Sequence, residues 1–193
     1  LRMNIAVAAD SPTALGVHAS SVAWGHNGGL IVGKEGQGKT TTALACAGDG
    51  GSLLSEDISG ICKGSDQWNI VSMPSMPGLD VRTSKLLKIS LGDIVGKANL
   101  RRSTKFWLPP SQLPWMKRQA SARLRGVFTL RRCSDSKPSV RPMPASEMLG
   151  HFLDSATRAL ITSSADMGGK LTSLGKVLAE VPCFELSTPE GAP

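Results

Sequence analysis

Tyrosine is absent from this sequence, and Trp and Phe together make up only 4% of it. Single-stranded nucleic acid is bound by aromatic faces on which bases stack, so that function is disfavoured. No run of about 18 apolar residues occurs, and none is therefore predicted to cross a membrane as a helix. Leu1 to Ala9 is mildly apolar but too short and too polar for a signal peptide. A cytoplasmic protein is expected. The sequence opens on Leu1 rather than Met, which is compatible with N-terminal trimming. Cys46, Cys62, Cys133 and Cys183 are widely spaced. They form neither a C-x-x-C metal pattern nor a dense disulfide framework, and four free thiols are predicted. No internal repeat or low-complexity tract is visible.

What is present suits a folded protein. The hydrophobic fraction is 40% and the charged fraction 19% over 193 residues. Such a chain can bury a core without staples, and residues 1–193 read as a single domain. The formal net charge is +7. An anionic partner would suit it: nucleic acid, a membrane surface, an acidic peptide or the phosphates of a nucleotide. A basic solvated surface is the plainer alternative.

Periodicity and punctuation predict the order of elements. Val17 to Trp24 reads as one strand, and Leu30-Ile31-Val32 as a short buried strand after the Gly28-Gly29 turn. Lys39 to Gly48 reads as a helix that stops at a glycine cluster, and Ser52 to Ser55 as the next strand. Ile58–Cys62 and Trp68–Met73 flank a turn-rich tetrad and predict a hairpin. Leu79 to Ile89 reads as a short helix. Residues 96–122 show no pattern; they hold Arg101, Arg102, Lys105, Lys117 and Arg118 with Trp107 and Trp115 interleaved. This is either a loop over a binding site or a surface linker. Gly126 to Leu130 predicts a strand, Ser146 to about Thr162 a helix, Lys170 to Val181 a second helix, and Val181 to Ser187 a closing strand. The class is α/β, a central mixed sheet with flanking helices.

One motif carries chemistry. Gly33-Lys34-Glu35-Gly36-Gln37-Gly38-Lys39-Thr40 fits G-x-x-x-x-G-K-[ST], with a strand before it and a helix after it. The glycines let the backbone wrap closely around phosphate oxygens. Backbone N–H groups of the loop, and of the helix beginning at Lys39, Thr40 and Thr41, point at the anion. Lys39 places a positive charge on the outer phosphates, and the Thr40 hydroxyl is positioned to ligate Mg²⁺. ATP and Mg²⁺ are the expected cofactors. The alternative is a Gly-rich turn with a solvent-facing Lys.

Glu56-Asp57 follows the strand Ser52–Ser55. In a parallel strand–helix–strand unit both strands end on one edge, which puts the acids beside the loop. One carboxylate there can hold the metal and another can take a proton from an attacking hydroxyl. Two acids after a strand also serve as a helix cap or a solvated turn. His18 is a lone histidine by pattern, the kind that is more often structural than catalytic.

Together, Val17-His18-Ala19-Ser20, Gly29 to Cys46 and Leu53-Leu54-Ser55-Glu56-Asp57-Ile58 resemble the HPr kinase/phosphorylase-like superfamily. The resemblance is closest to the compact HPr-kinase-like serine kinases found beside peptide-tailoring genes, lasso-peptide kinases among them. It is strong over about residues 17–60. It implies that His18, Lys39, Glu56 and Asp57 are catalytic, with Thr40 and Asp57 on the metal and Glu56 activating the acceptor hydroxyl. Glu56 stands where the family has Asp, and the glycine-rich signature of true HPr kinases is not visible. Phosphorylation of HPr itself is therefore not expected.

The function expected is an ATP-dependent kinase acting on a hydroxyl, such as that of Ser, in a peptide, protein or small molecule. A nucleotide-dependent regulatory or binding module without transfer is the alternative. No membrane partner is expected, nucleic acid is disfavoured, and a homo-oligomer is compatible with the sequence.

Overall fold

The computed structural model describes residues 14–73, 76–89, 105–108, 113–134, 137–154 and 166–189. The first two strands, β1 (Ala14–His18) and β2 (Ser20–Trp24), are one stretch of chain bent at Ala19. The sequence predicted a single strand there, because Val17 and Ala19 to Ala23 are all buried and no alternation marks the break. β1 pairs antiparallel with β5 (Ile58–Lys63), whereas β2 pairs antiparallel with β3 (Asn27–Val32) and β4 (Ser52–Ser55). β4 and β5 are likewise joined only by Glu56 and Asp57. Two bent strands therefore run side by side, and each passes from one end of the sheet to the other.

The sheet continues from β5 through β6 (Trp68–Val71) to β10 (Ser121–Cys133), and from β10 to β3 and β2. β10 lies parallel to β3 and to β12 (Cys183–Pro189). β11 (Ser139–Pro142) pairs with the outer side of β12, and β9 (Lys117–Arg118) with β4. A separate two-residue pair joins β7 (Gly78–Leu79) to β8 (Phe106–Trp107). The expected parallel β3–helix–β4 unit is present, with β2 inserted between its two strands.

Helices cover both faces. α1 (Lys39–Gly48) lays Ala43, Leu44 and Ala47 on Val22, Ile31, Leu53 and Leu130. α3 (Ala145–Asp154) and α4 (Met167–Glu180) fill the other face, where Met148, Phe152, Leu174 and Val177 meet Val17, Leu30, Ile61 and Val127. α2 (Val81–Leu86) is shorter than expected, because Leu79 belongs to β7 and Asp80 caps the helix by accepting the Thr83 N–H at 2.6 Å. α4 begins three residues before the expected Lys170, with Asp166 accepting the Gly169 N–H. The expected helix from Ser146 is described to Asp154; the rest of that expectation lies outside the described residues, as do Arg101 and Arg102. No described helix is long and apolar enough to cross a membrane.

Candidate functional site

Parallel strands end on one edge of a sheet. β3 releases the loop 33–38 there, β4 releases Glu56 and Asp57, and β10 and β12 bring Arg132 and Thr188. Between them lies a cleft of about 540 Å³. Its lining includes His18, Glu35, Gly36, Gly38, Lys39, Thr40, Thr41 and Asp57. Eight residues singled out in the sequence thus converge on one cavity. Gly33, Lys34 and Gln37 belong to the same loop without lining it, and Glu56 is buried beneath.

The loop turns through left-handed backbone at Gly36 (φ 81°) and Gly38 (φ 97°), conformations that side chains disfavour. At Gly38 a Cβ would also lie 2.8 Å from Arg132 Nη2. Gln37 Oε1 accepts the Lys34 N–H at 2.6 Å, so the loop is braced by its own side chain. Lys39 is 7% exposed, and its Nζ donates to the carbonyls of Gly33 (2.8 Å) and Lys34 (3.0 Å). Burial lowers its pKa, opposed by the nearby Asp57 and helped by Lys105. A buried amine held by two neutral carbonyls is a charge ready for a better partner.

The acids lie in different surroundings. Glu56 is 3% exposed. Its Oε1 accepts the Gly78 N–H at 3.2 Å and lies 3.5 Å from the Thr40 hydroxyl, while its carbonyl accepts from Ser20 Oγ. Asp57 is half exposed and faces the cleft, with Oδ1 3.3 Å from His18 Nδ1. The register explains that pair. His18 ends β1 opposite Ile58, the first residue of β5, which puts the imidazole beside the preceding Asp57. Burial and then the Lys39 amine hold the His18 pKa below its ordinary 6.5, against the upward pull of Asp57. Both effects favour the uncharged imidazole.

Sequence reasoning missed part of the cleft. Asp80, Arg82, Thr83 and Leu86 of the α2 region line it, as does Arg132. Thr83 shares a 2.8 Å hydroxyl–hydroxyl hydrogen bond with Thr41, tying α2 to α1. Arg132 lies at the end of a strand expected to stop at Leu130, so nothing in the sequence pointed it at the loop. Lys105, noted only within a patternless basic stretch, also reaches the cleft. Among the described residues no three His, Cys, Asp or Glu side chains form a metal cluster. Thr40 and Glu56 instead offer two adjacent hard oxygen donors, the kind of partial set that Mg²⁺ completes with phosphate oxygens and water.

The fold and site together define a mixed α/β protein with a polar cleft at the carboxyl ends of parallel strands. No family model matches the chain, and no curated protein does. Among solved structures, the Hpr(Ser) kinase/phosphatase from Coxiella burnetii is similar at 13% sequence identity, over 90% of this chain and 85% of that one, with a TM-score of 0.42.

Proposed function

We propose that the chain is an ATP- and Mg²⁺-dependent kinase that phosphorylates a hydroxyl, such as that of Ser, on a peptide, protein or small molecule. The observation that carries this reading is one cleft lined by Glu35, Gly36, Gly38, Lys39 and Thr40 of the loop and by the His18–Asp57 pair, with Glu56 buried beneath it 3.5 Å from the Thr40 hydroxyl. The loop fits a P-loop: two glycines in left-handed backbone lead into the first turn of α1. When bound, ATP supplies the phosphoryl group and Mg²⁺ neutralises charge on its oxygens.

The residues then divide the work. Lys39 exchanges the Gly33 and Lys34 carbonyls for phosphate oxygens. Thr40 and Glu56 would hold Mg²⁺, which would neutralise charge on the phosphates. Asp57, facing the cleft, accepts the proton of the acceptor hydroxyl as its oxygen bonds to phosphorus and the bond to the departing ADP oxygen breaks. His18 orients the Asp57 carboxylate from its other side. This division exchanges the roles that the resemblance implies for the two acids. Burial beside Thr40 favours Glu56 for the metal, and exposure to the cleft favours Asp57 for the acceptor.

The test is transfer from labelled ATP to an array of Ser- and Thr-containing peptides, with Mg²⁺ titrated for each variant. Asp57→Asn is expected to slow transfer by about 10²–10⁴, the range of general-base help, with ATP affinity nearly intact. Glu56→Gln is expected to raise the Mg²⁺ concentration required. The reverse pattern would restore the roles implied by the resemblance. ATP binding that Lys39→Ala abolishes, without acceptor-dependent ADP release on any peptide or hydroxyl compound, would instead mark a regulatory module.

A further inference from the structure

Thr129 forms the last pair of β10 with β3, opposite Val32, where β3 gives way to the glycine loop. Strand side chains alternate, so Thr129 shares a face with Val127. Val127 and Val32 both belong to the apolar layer under α3 and α4. A hydroxyl in that company calls for a reason. Thr129 is 1% exposed, and among the described residues its Oγ1 is a buried oxygen without a hydrogen-bond partner. Buried hydroxyls are normally paired, and an unpaired one costs free energy that Val, of the same shape, would not.

The group beside it is Gly33. A Cβ placed on Gly33 would lie 3.7 Å from Thr129 Oγ1, so the hydroxyl abuts the first residue of the loop. The Gly33 carbonyl accepts from Lys39 Nζ at 2.8 Å, and the Lys34 carbonyl accepts from the same amine at 3.0 Å. The two acceptors differ in what can replace the amine. Lys34 is exposed, and water can take its place there. Gly33 is buried, so its carbonyl must find its next donor within the protein. A hydroxyl with nothing to bond thus adjoins a carbonyl that loses its donor whenever Lys39 turns to phosphate.

We infer that Thr129 is a positioning residue that takes over the Gly33 carbonyl when Lys39 leaves it for the nucleotide's phosphates. The hydroxyl then donates to that carbonyl, and the cost of freeing the amine is offset where it arises. This rests on the P-loop reading and adds to it a residue from outside the motif. In the nucleotide-free chain the hydroxyl is idle and slightly destabilising; its bond forms only as the amine departs.

The handover has a signature that needs no nucleotide. In the parent, Thr129→Val removes an idle hydroxyl, so the denaturation midpoint of the nucleotide-free chain stays level or rises. In Lys39→Ala the carbonyl has already lost its amine and the hydroxyl holds it, so adding Thr129→Val lowers the midpoint. Titration calorimetry with ADP and with ATP plus Mg²⁺ is the second readout. Thr129→Val is expected to weaken both nucleotides by about tenfold, the worth of one hydrogen bond. Thr129→Ser keeps the hydroxyl and recovers most of that affinity, and Thr129→Ala is a second hydroxyl-free chain if the Val variant does not fold. A midpoint lowered equally by Thr129→Val in both backgrounds assigns the hydroxyl a standing structural bond and overturns the inference. An affinity loss in Thr129→Ser as large as in Thr129→Val marks packing rather than the hydroxyl and overturns it too. Parent-like affinity in the hydroxyl-free chains, with affinity lost in Lys39→Ala, overturns the inference and leaves the P-loop reading standing. A parent chain that binds neither ADP nor ATP overturns both.

Discussion

The two faces of the large sheet are covered differently. On one, α3 and α4 seat Met148, Phe152, Leu174 and Val177 in a layer that excludes solvent. On the other, α1 covers Val22, Ile31 and Leu53, but a largely apolar groove of about 370 Å³ stays open beside it. Thr42 and Cys46 of α1 line one side of that groove and Phe128 and Leu186 the other, with half-exposed Trp24 among the lining. The cleft opens at the edge of the α1 face. The closed face supplies burial, and the α1 face carries buried polar groups, left-handed glycines and a desolvated amine that burial elsewhere must offset. Stability and chemistry are expected to respond to different substitutions.

The strongest way to break this comparison is Phe152→Ala, because Phe152 is fully buried on the closed face. The expected cost is about 3–5 kcal/mol in chemical denaturation. Measured where the variant is still folded, its ATP affinity should match the parent's. A parallel loss of affinity would show the faces to be coupled.

A pH series sharpens the comparison on the cleft side. His18 has its pKa depressed on folding, so the unfolded chain binds the extra proton first as pH falls. The stability linked to the neutral imidazole is present above pH 6.5 and is lost progressively as pH falls through the lowered value. Transfer should lose rate over the same window, and His18→Gln should remove that limb. An unchanged profile in His18→Gln would dissociate His18 from both effects.

The smallest effect is expected at Thr83→Val, which removes one partner of the hydroxyl pair linking α1 to α2. About 1 kcal/mol of stability should be lost, with a modest change in nucleotide affinity. A large loss of affinity would mean that α2 positions the loop.

Legibility in the sequence followed the range of the interactions. The Gly33–Thr40 loop, α1 and the acids after β4 were readable because local backbone chemistry demands those residue types in that order. The meeting of His18 with Asp57 was not readable from spacing; it needs the register of β1 on β5, and only the resemblance anticipated it. β10 was read as five residues and has thirteen, because Arg123, Arg125 and Arg131 interrupt its apolar pattern on positions that stay exposed. β8 and β9 are two-residue strands inside the patternless basic stretch, too short to show any period. β11, bounded by Pro138 and Pro142 and wholly exposed, carries no burial signal either.

The parallel pairing of β3 with β10 has a consequence for how the protein comes into being. The loop is written in the first quarter of the chain, whereas the strand beside β3 is Ser121–Cys133 and the one beyond it Cys183–Pro189. Contacts between parts so distant in sequence form slowly, since the entropy of closing the intervening chain is lost before they contribute. During synthesis the glycine loop therefore emerges long before its floor. A nascent chain carries the Gly33–Thr40 loop without the strands beside it, and the edge on which the cleft lies is complete only once Cys183–Pro189 has been made.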